Sequence, residues 1–131
     1  MILGNLVSKG MNFIQGEIAR VHPESAIAEV RTEFAETMLS RTPDVEATLP
    51  GKQVYASIRP EDVQIFSNPP QGKENLFQGA IAHKAYLGSF LFFFVTIGDT
   101  IIRVQVPHHL PHEEGEKVFL FLDPQKCMIL F

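Results

Sequence analysis

Asn12-Phe13-Ile14-Gln15-Gly16-Glu17-Ile18-Ala19 returns as Asn75-Leu76-Phe77-Gln78-Gly79-Ala80-Ile81-Ala82, about 63 residues further on, and self-similarity at a fixed spacing is the mark of a repeated structural unit. A second set follows in the same order. Gly51, Val54, Ile58, Pro60 and Ile65 recur as Gly115, Val118, Leu122, Pro124 and Ile129, about 64 residues on, so the halves differ by roughly one inserted residue. The chain reads as an internal duplication: a first unit over 12–66, a linker over 67–74 and a second unit over 75–131. Ser67-Asn68-Pro69-Pro70-Gln71-Gly72-Lys73 suits a linker because its prolines and glycine disfavour both helix and central strand.

The second unit declares its strands most clearly. In Thr100–Val106, Ile102, Val104 and Val106 alternate with Arg103 and Gln105, the period-two pattern of a half-buried strand. Gly98-Asp99 can turn the chain back from Phe90–Ile97, a run rich in aromatic and β-branched residues, so the two form a hairpin. Leu76–Tyr86, Lys117–Leu122 and Met128–Phe131 bring the unit to five short strands, the number in an OB-type Greek-key barrel. In the first unit, Ala26, Ala28, Val30, Thr32 and Phe34 alternate with Glu29, Arg31 and Glu33, while Ile27, Val30, Phe34 and Met38 also fit a helical stripe after Pro23. The duplication requires a strand there, and a strand is expected. The third strand of this unit falls somewhere between Glu36 and Leu49. The fold expected is all-β, two tandem OB-like small barrels.

Composition narrows the function. Fifteen acidic residues against eleven basic ones give a formal charge of −4 in 131 residues, which argues against a phosphate-backbone binder, so no nucleic-acid partner is expected. The lone Cys127 cannot form an internal disulfide and suits a reducing, cytosolic setting. The longest apolar run, Phe90 to Val95, is far shorter than a membrane span, so no direct membrane insertion is expected.

No seat for catalysis is apparent. Gly51-Lys52-Gln53 and Gly72-Lys73-Glu74 lack the hydroxyl and upstream glycine of a phosphate-cradling loop. A nucleophile elbow and a paired-cysteine zinc site are also missing. His108-His109-Leu110-Pro111-His112-Glu113-Glu114 gathers metal-ligand residue types, but Pro111 opposes helical presentation of His108 and His112, and a solvated acidic loop accounts for the same residues. Neither a metal site nor a cofactor is assigned. Phe92-Phe93-Phe94 could stack on bases, yet the acidity favours core or interface packing.

Two short stretches are candidates for partner or ligand binding. Arg59-Pro60-Glu61-Asp62 combines a strand end, a proline suited to the first position of a helical turn and acids near that turn's positive end. It is a structural corner whose Arg59 either pairs with an acid or offers its fork to a partner or anion. Tyr86-Leu87-Gly88-Ser89 has the same double reading: Gly88 permits a tight bend, while Ser89 with Lys84 could hydrogen-bond a small anion. The candidate residues are therefore Arg59, Glu61, Tyr86, Gly88 and Ser89. Eleven phenylalanines and no tryptophan are more large rings than two small barrels enclose comfortably, so self-association through leftover apolar surface is expected.

The succession Gly51…Val54…Ile58-Arg59-Pro60-Glu61-Asp62-Val63, Asn75…Gly79…Ile81…Tyr86-Leu87-Gly88-Ser89 and Gly115…Val118 resembles the C-terminal TOBE region of importer-type ABC transporter ATPases, over nearly the whole chain. Leu3-Gly4 and Asn12-Phe13 resemble the segment where such ATPases leave the nucleotide-binding domain, so residues 1–11 are expected to be a lead-in from an ATPase domain this chain lacks. The resemblance implies paired OB-like or molybdate-binding-like barrels. It also implies a noncatalytic regulatory and dimerisation role, with a homodimer, the ATPase domain of the same parent chain and, through it, membrane permease subunits as partners. The implied location is cytoplasmic, at the inner face of the membrane through the transporter complex. Tyr86-Leu87-Gly88-Ser89 is closer to the polyamine and iron branch than to the sugar branch. The alternative is a free-standing oxyanion-binding protein with two molybdate-binding-like repeats.

Overall fold

The structure is a computed structural model describing residues 10–107 and 109–131. The expected lead-in over 1–11 falls almost wholly outside the described residues, as does His108 of the histidine-rich loop. The described residues are all-β apart from one 3-10 turn, Pro60–Asp62. The first half supplies β1 (Asn12–His22), β2 (Ile27–Thr32), β3 (Met38–Arg41), β4 (Gln53–Ile58) and β5 (Val63–Phe66). The second supplies β6 (Leu76–Leu87), β7 (Phe90–Ile97), β8 (Thr100–Val106), β9 (Lys117–Leu122) and β10 (Met128–Leu130).

The alternation sets the register as expected. Ile102, Val104 and Val106 of β8 are buried, while Arg103 and Gln105 are half-buried on the other face. Ala28 and Val30 of β2 are fully buried, so the ambiguous segment is a strand, its alternation outweighing the helical stripe once β1 and β3 pair on either side of it. The missing third strand is Met38–Arg41.

Pairing shows what local pattern does not. A closed barrel runs β1-β2-β3-β10-β4, and a five-stranded sheet runs β5-β9-β6-β7-β8. The last strand of each half has crossed over: β10 lies antiparallel to β4, and β5 lies antiparallel to β9. Units over 12–66 and 75–131 that each keep all five of their own strands are therefore corrected to two halves that exchange their final strands. The cause is the proline corner after β4 and its repeat after β9. Arg59 is extended at φ −73° and ψ 145°, Pro60 opens the 3-10 turn, and Val63 N–H closes it on Pro60 O; the chain thus leaves one sheet and enters the next.

The duplicated phrase has duplicated structural duties. Gly16 and Gly79 sit where a neighbouring strand comes too close for a side chain. A Cβ at Gly16 would lie 2.8 Å from Arg31 O and one at Gly79 2.6 Å from Thr96 O. Ile18 N–H donates to Lys52 O at 2.9 Å and Gly51 N–H to Ile18 O at 2.8 Å; Ile81 and Gly115 repeat this at 3.0 and 2.7 Å.

The two asparagines that open the phrase tie the sheets together. Asn12, at the start of β1, donates from Nδ2 to Arg103 O of β8 at 2.9 Å and accepts the Arg103 N–H at 2.9 Å. Asn75, just before β6, donates to Leu39 O of β3 at 2.7 Å and accepts the Leu39 N–H at 2.8 Å. Each side-chain amide thus stands in for a missing strand neighbour and satisfies backbone groups of the opposite sheet. Asn75 also donates to Leu122 O at 2.8 Å.

Candidate functional site

The two crossing corners have the same course and different chemistry. In Arg59-Pro60-Glu61-Asp62, Asp62 N–H donates to Arg59 O at 3.0 Å; in Asp123-Pro124-Gln125-Lys126, Lys126 N–H donates to Asp123 O at 2.8 Å. They converge on one cavity of about 360 Å³, lined by Met11, Arg41, Ser57, Arg59, Asp62, Gln125, Lys126 and Met128. Arg59 and Asp62 come from one corner and Gln125 and Lys126 from the other, while Arg41 ends β3 beside Met128 of the exchanged β10.

Three cations therefore border this cavity with one carboxylate. None of Arg41, Arg59, Lys126 or Asp62 enters an ion pair among the described residues. Among the described residues Arg59 therefore pairs with no acid. Arg41 Nε is the one buried side-chain nitrogen or oxygen without a hydrogen-bond partner among the described residues, and such a buried donor is costly to leave unmade. Ser57 Oγ donates to Met128 O at 2.9 Å, which secures β10 at the cavity wall. Cys127, beside the corner, is fully buried, and burial above all pushes its thiol up to about 12, which disfavours the thiolate.

Arg59 also borders a second cavity of about 280 Å³ with Gly10, Met11, Pro60, Glu61, Phe92 and Gln105. Arg59 and Glu61 thus lie together. Tyr86, Gly88 and Ser89 lie elsewhere, in the hairpin between β6 and β7, where Leu87 faces Phe90 and Gly88 has φ 63°. Tyr86, Leu87 and Phe90 are each more than half exposed, so the tip presents apolar side chains to its surroundings. Lys84 Nζ donates to Glu113 Oε2 at 3.1 Å, and that bond raises the lysine pKa.

His112 and Glu114 of the histidine-rich loop make structural contacts. His112 is buried, hydrogen-bonds Glu116 and sets its ring edge-on to Phe93 of β7 at 5.9 Å between centroids. Glu114 accepts the Lys84 N–H at 3.1 Å and lies 3.2 Å from His83 Nδ1. Phe93 is core, whereas Phe92 and Phe94 are half-buried on the opposite face. Sequence reasoning missed Arg41 and Lys126. Lys126 had a usable signal: it stands one repeat after Asp62, with the opposite charge.

Comparison with known proteins agrees with this architecture. The family model described as "TOBE domain" matches residues 56–130, and the chain belongs to that family. An ABC transporter ATP-binding protein of Bacillus subtilis, YurJ, itself described as uncharacterized, is 27% identical over 121 residues, covering 91% of this chain and 32% of the relative. The spermidine/putrescine import ATP-binding protein PotA of Trichormus variabilis is 31% identical over 107 residues, 79% of this chain and 28% of that protein. The chain thus spans about a third of the length of the curated relatives it matches. Among solved structures, the cytoplasmic molybdate-binding protein ModG superposes with a TM-score of 0.72 at 13% identity, covering 90% of this chain and 94% of ModG; the likeness is one of fold. Among the described residues no helix is long and apolar enough to cross a membrane.

Proposed function

We propose that this chain is the noncatalytic regulatory and dimerisation domain of the ATP-binding subunit of an ABC solute importer, acting in the cytoplasm at the inner face of the membrane through its permease subunits. The observation that carries the reading is the alignment of most of the chain with part of two ABC ATP-binding proteins. PotA's name, taken with Tyr86-Leu87-Gly88-Ser89, favours a polyamine or iron solute. The exposed Tyr86, Leu87 and Phe90 support the hairpin tip as the homodimer contact.

The test is made in the full-length parent subunit. Removing residues 12–131 should leave MgATP binding intact, shift the subunit toward monomer in sedimentation equilibrium and alter turnover by its permease complex. A deletion that changes neither association nor turnover would overturn the reading. The fold of ModG favours a second one, a free-standing oxyanion binder with two repeats. That protein would take up molybdate stoichiometrically as an isolated chain.

A further inference from the structure

We propose that the cavity where the crossing corners meet is a binding site for inorganic phosphate, and that it selects phosphate over sulfate and molybdate. The proposal is independent of whether the chain serves an ATP-binding subunit.

The residues at the cavity are a donor set in want of an acceptor. Arg41, Arg59 and Lys126 border it, none of them is ion-paired among the described residues, and Arg41 Nε is buried without a partner. Guanidinium groups donate in a fork suited to oxyanions, and an ammonium adds a point charge. A cavity of about 360 Å³ lies at the small end of ligand sites and has room for a compact anion.

Asp62 supplies the selectivity. An ionised carboxylate accepts hydrogen bonds and cannot donate them. Inorganic phosphate keeps at least one P–OH at neutral pH and can donate it to Asp62, while its remaining oxygens accept from the cations. Sulfate and molybdate carry no proton there, so each would set bare oxygen against the Asp62 carboxylate. A site built around a substrate hydroxyl penalises the analogue that lacks it through the polar group left unpaired. The occupied site would also join both corners, and so pin the exchanged strands β5 and β10.

Calorimetric titration of the chain at constant ionic strength and neutral pH tests this, with inorganic phosphate, sulfate and molybdate as separate probes. Phosphate should bind at one site per chain, with sulfate and molybdate at least about tenfold weaker. Arg59→Ala combined with Lys126→Ala changes two exposed side chains, should keep the circular dichroism spectrum and should weaken phosphate by at least about tenfold. Asp62→Asn should bring the phosphate-to-sulfate ratio within about threefold. Equal binding of the three anions, molybdate bound in preference, phosphate affinity unchanged in the double variant, or the native ratio kept in Asp62→Asn would each overturn the proposal.

Discussion

Arg59-Pro60-Glu61-Asp62 and Asp123-Pro124-Gln125-Lys126 perform one mechanical task with reversed charges. Both turn on a proline, both close the same backbone hydrogen bond, and both send the next strand into the opposite sheet. Yet the first runs from cation to anion and the second from anion to cation. Pairing and burial fix the backbone course in both halves, while the corner side chains differ. Because the corners face a common cavity, their difference gives that cavity an asymmetric lining within a symmetric frame.

The largest break in the likeness of the halves should come at Val104. The reciprocal clamps make Leu39 and Arg103 equivalent, so Ser40 is the counterpart of Val104. Both are fully buried, but Ser40 Oγ donates to Arg41 O at 3.0 Å. The first barrel therefore already accommodates a polar atom where the second sheet has packed a valine. Val104→Asp should cost several kcal/mol, on the order of 4, by burying an unpaired carboxylate, while the neighbouring Gln105→Asp should cost under about 1 kcal/mol. Urea unfolding of both variants checks this, and the reverse order would mean that β8 is displaced by one residue.

The asparagine clamps come next. Asn75→Ala removes three hydrogen bonds and places alanine at φ 56°, where asparagine is tolerated. Asn12→Ala removes two, at a position without positive φ. The expected losses are about 3 kcal/mol for Asn75→Ala and about 1.5 kcal/mol for Asn12→Ala, from backbone groups left without partners. Equal losses in chemical denaturation would show that the clamps are equivalent in energy as well as in geometry.

How far the sequence reached follows from which forces are local. The duplicated phrase, the strand at Ile27–Thr32 and the inward face of Thr100–Val106 were legible because alternation is written residue by residue. The destination of β5 and β10 was not, since Val63–Phe66 and Met128–Leu130 are short apolar runs that fit either sheet. The donors of the cavity were hidden for the same reason: Arg41 meets Met128 only because β10 crosses over. Arg59 and Glu61 were visible as a pair, being adjacent to one proline. Tyr86, Gly88 and Ser89 were visible as a turn, but nothing local placed that turn away from Arg59.

A smaller effect separates the corners' backbone role from their charges. Arg59→Asp, Glu61→Gln and Asp62→Lys together write the second corner's chemistry into the first. If proline and pairing alone set the crossing, the thermal midpoint should move by no more than the equivalent of about 0.5 kcal/mol, as for surface changes away from packed groups. A larger loss would assign the charges a part in strand exchange.

The smallest expected difference lies in the loops that end at Gly51 and Gly115. Lys52 and Glu116 hold matching places, their carbonyls accepting from Ile18 and Ile81. Lys52 sets its ammonium 4.5 Å from the centre of the Phe131 ring, whereas Glu116 accepts from His112 and from the Glu113 N–H. The His112 bond foremost, then the Glu113 bond, lowers the Glu116 pKa from its ordinary 4.5. A carboxyl with a depressed folded-state pKa adds stability above its unfolded value and loses it as pH falls through the folded one. Glu116→Gln should therefore be slightly less stable than the native chain at neutral pH, with the gap closing in acid, below the ordinary carboxylate pKa. Lys52→Gln has no acid-linked bond to lose and should show no such closing. Urea midpoints at the two pH values decide it: a Glu116→Gln gap that persists in acid would detach the Glu116 bond from the pH response.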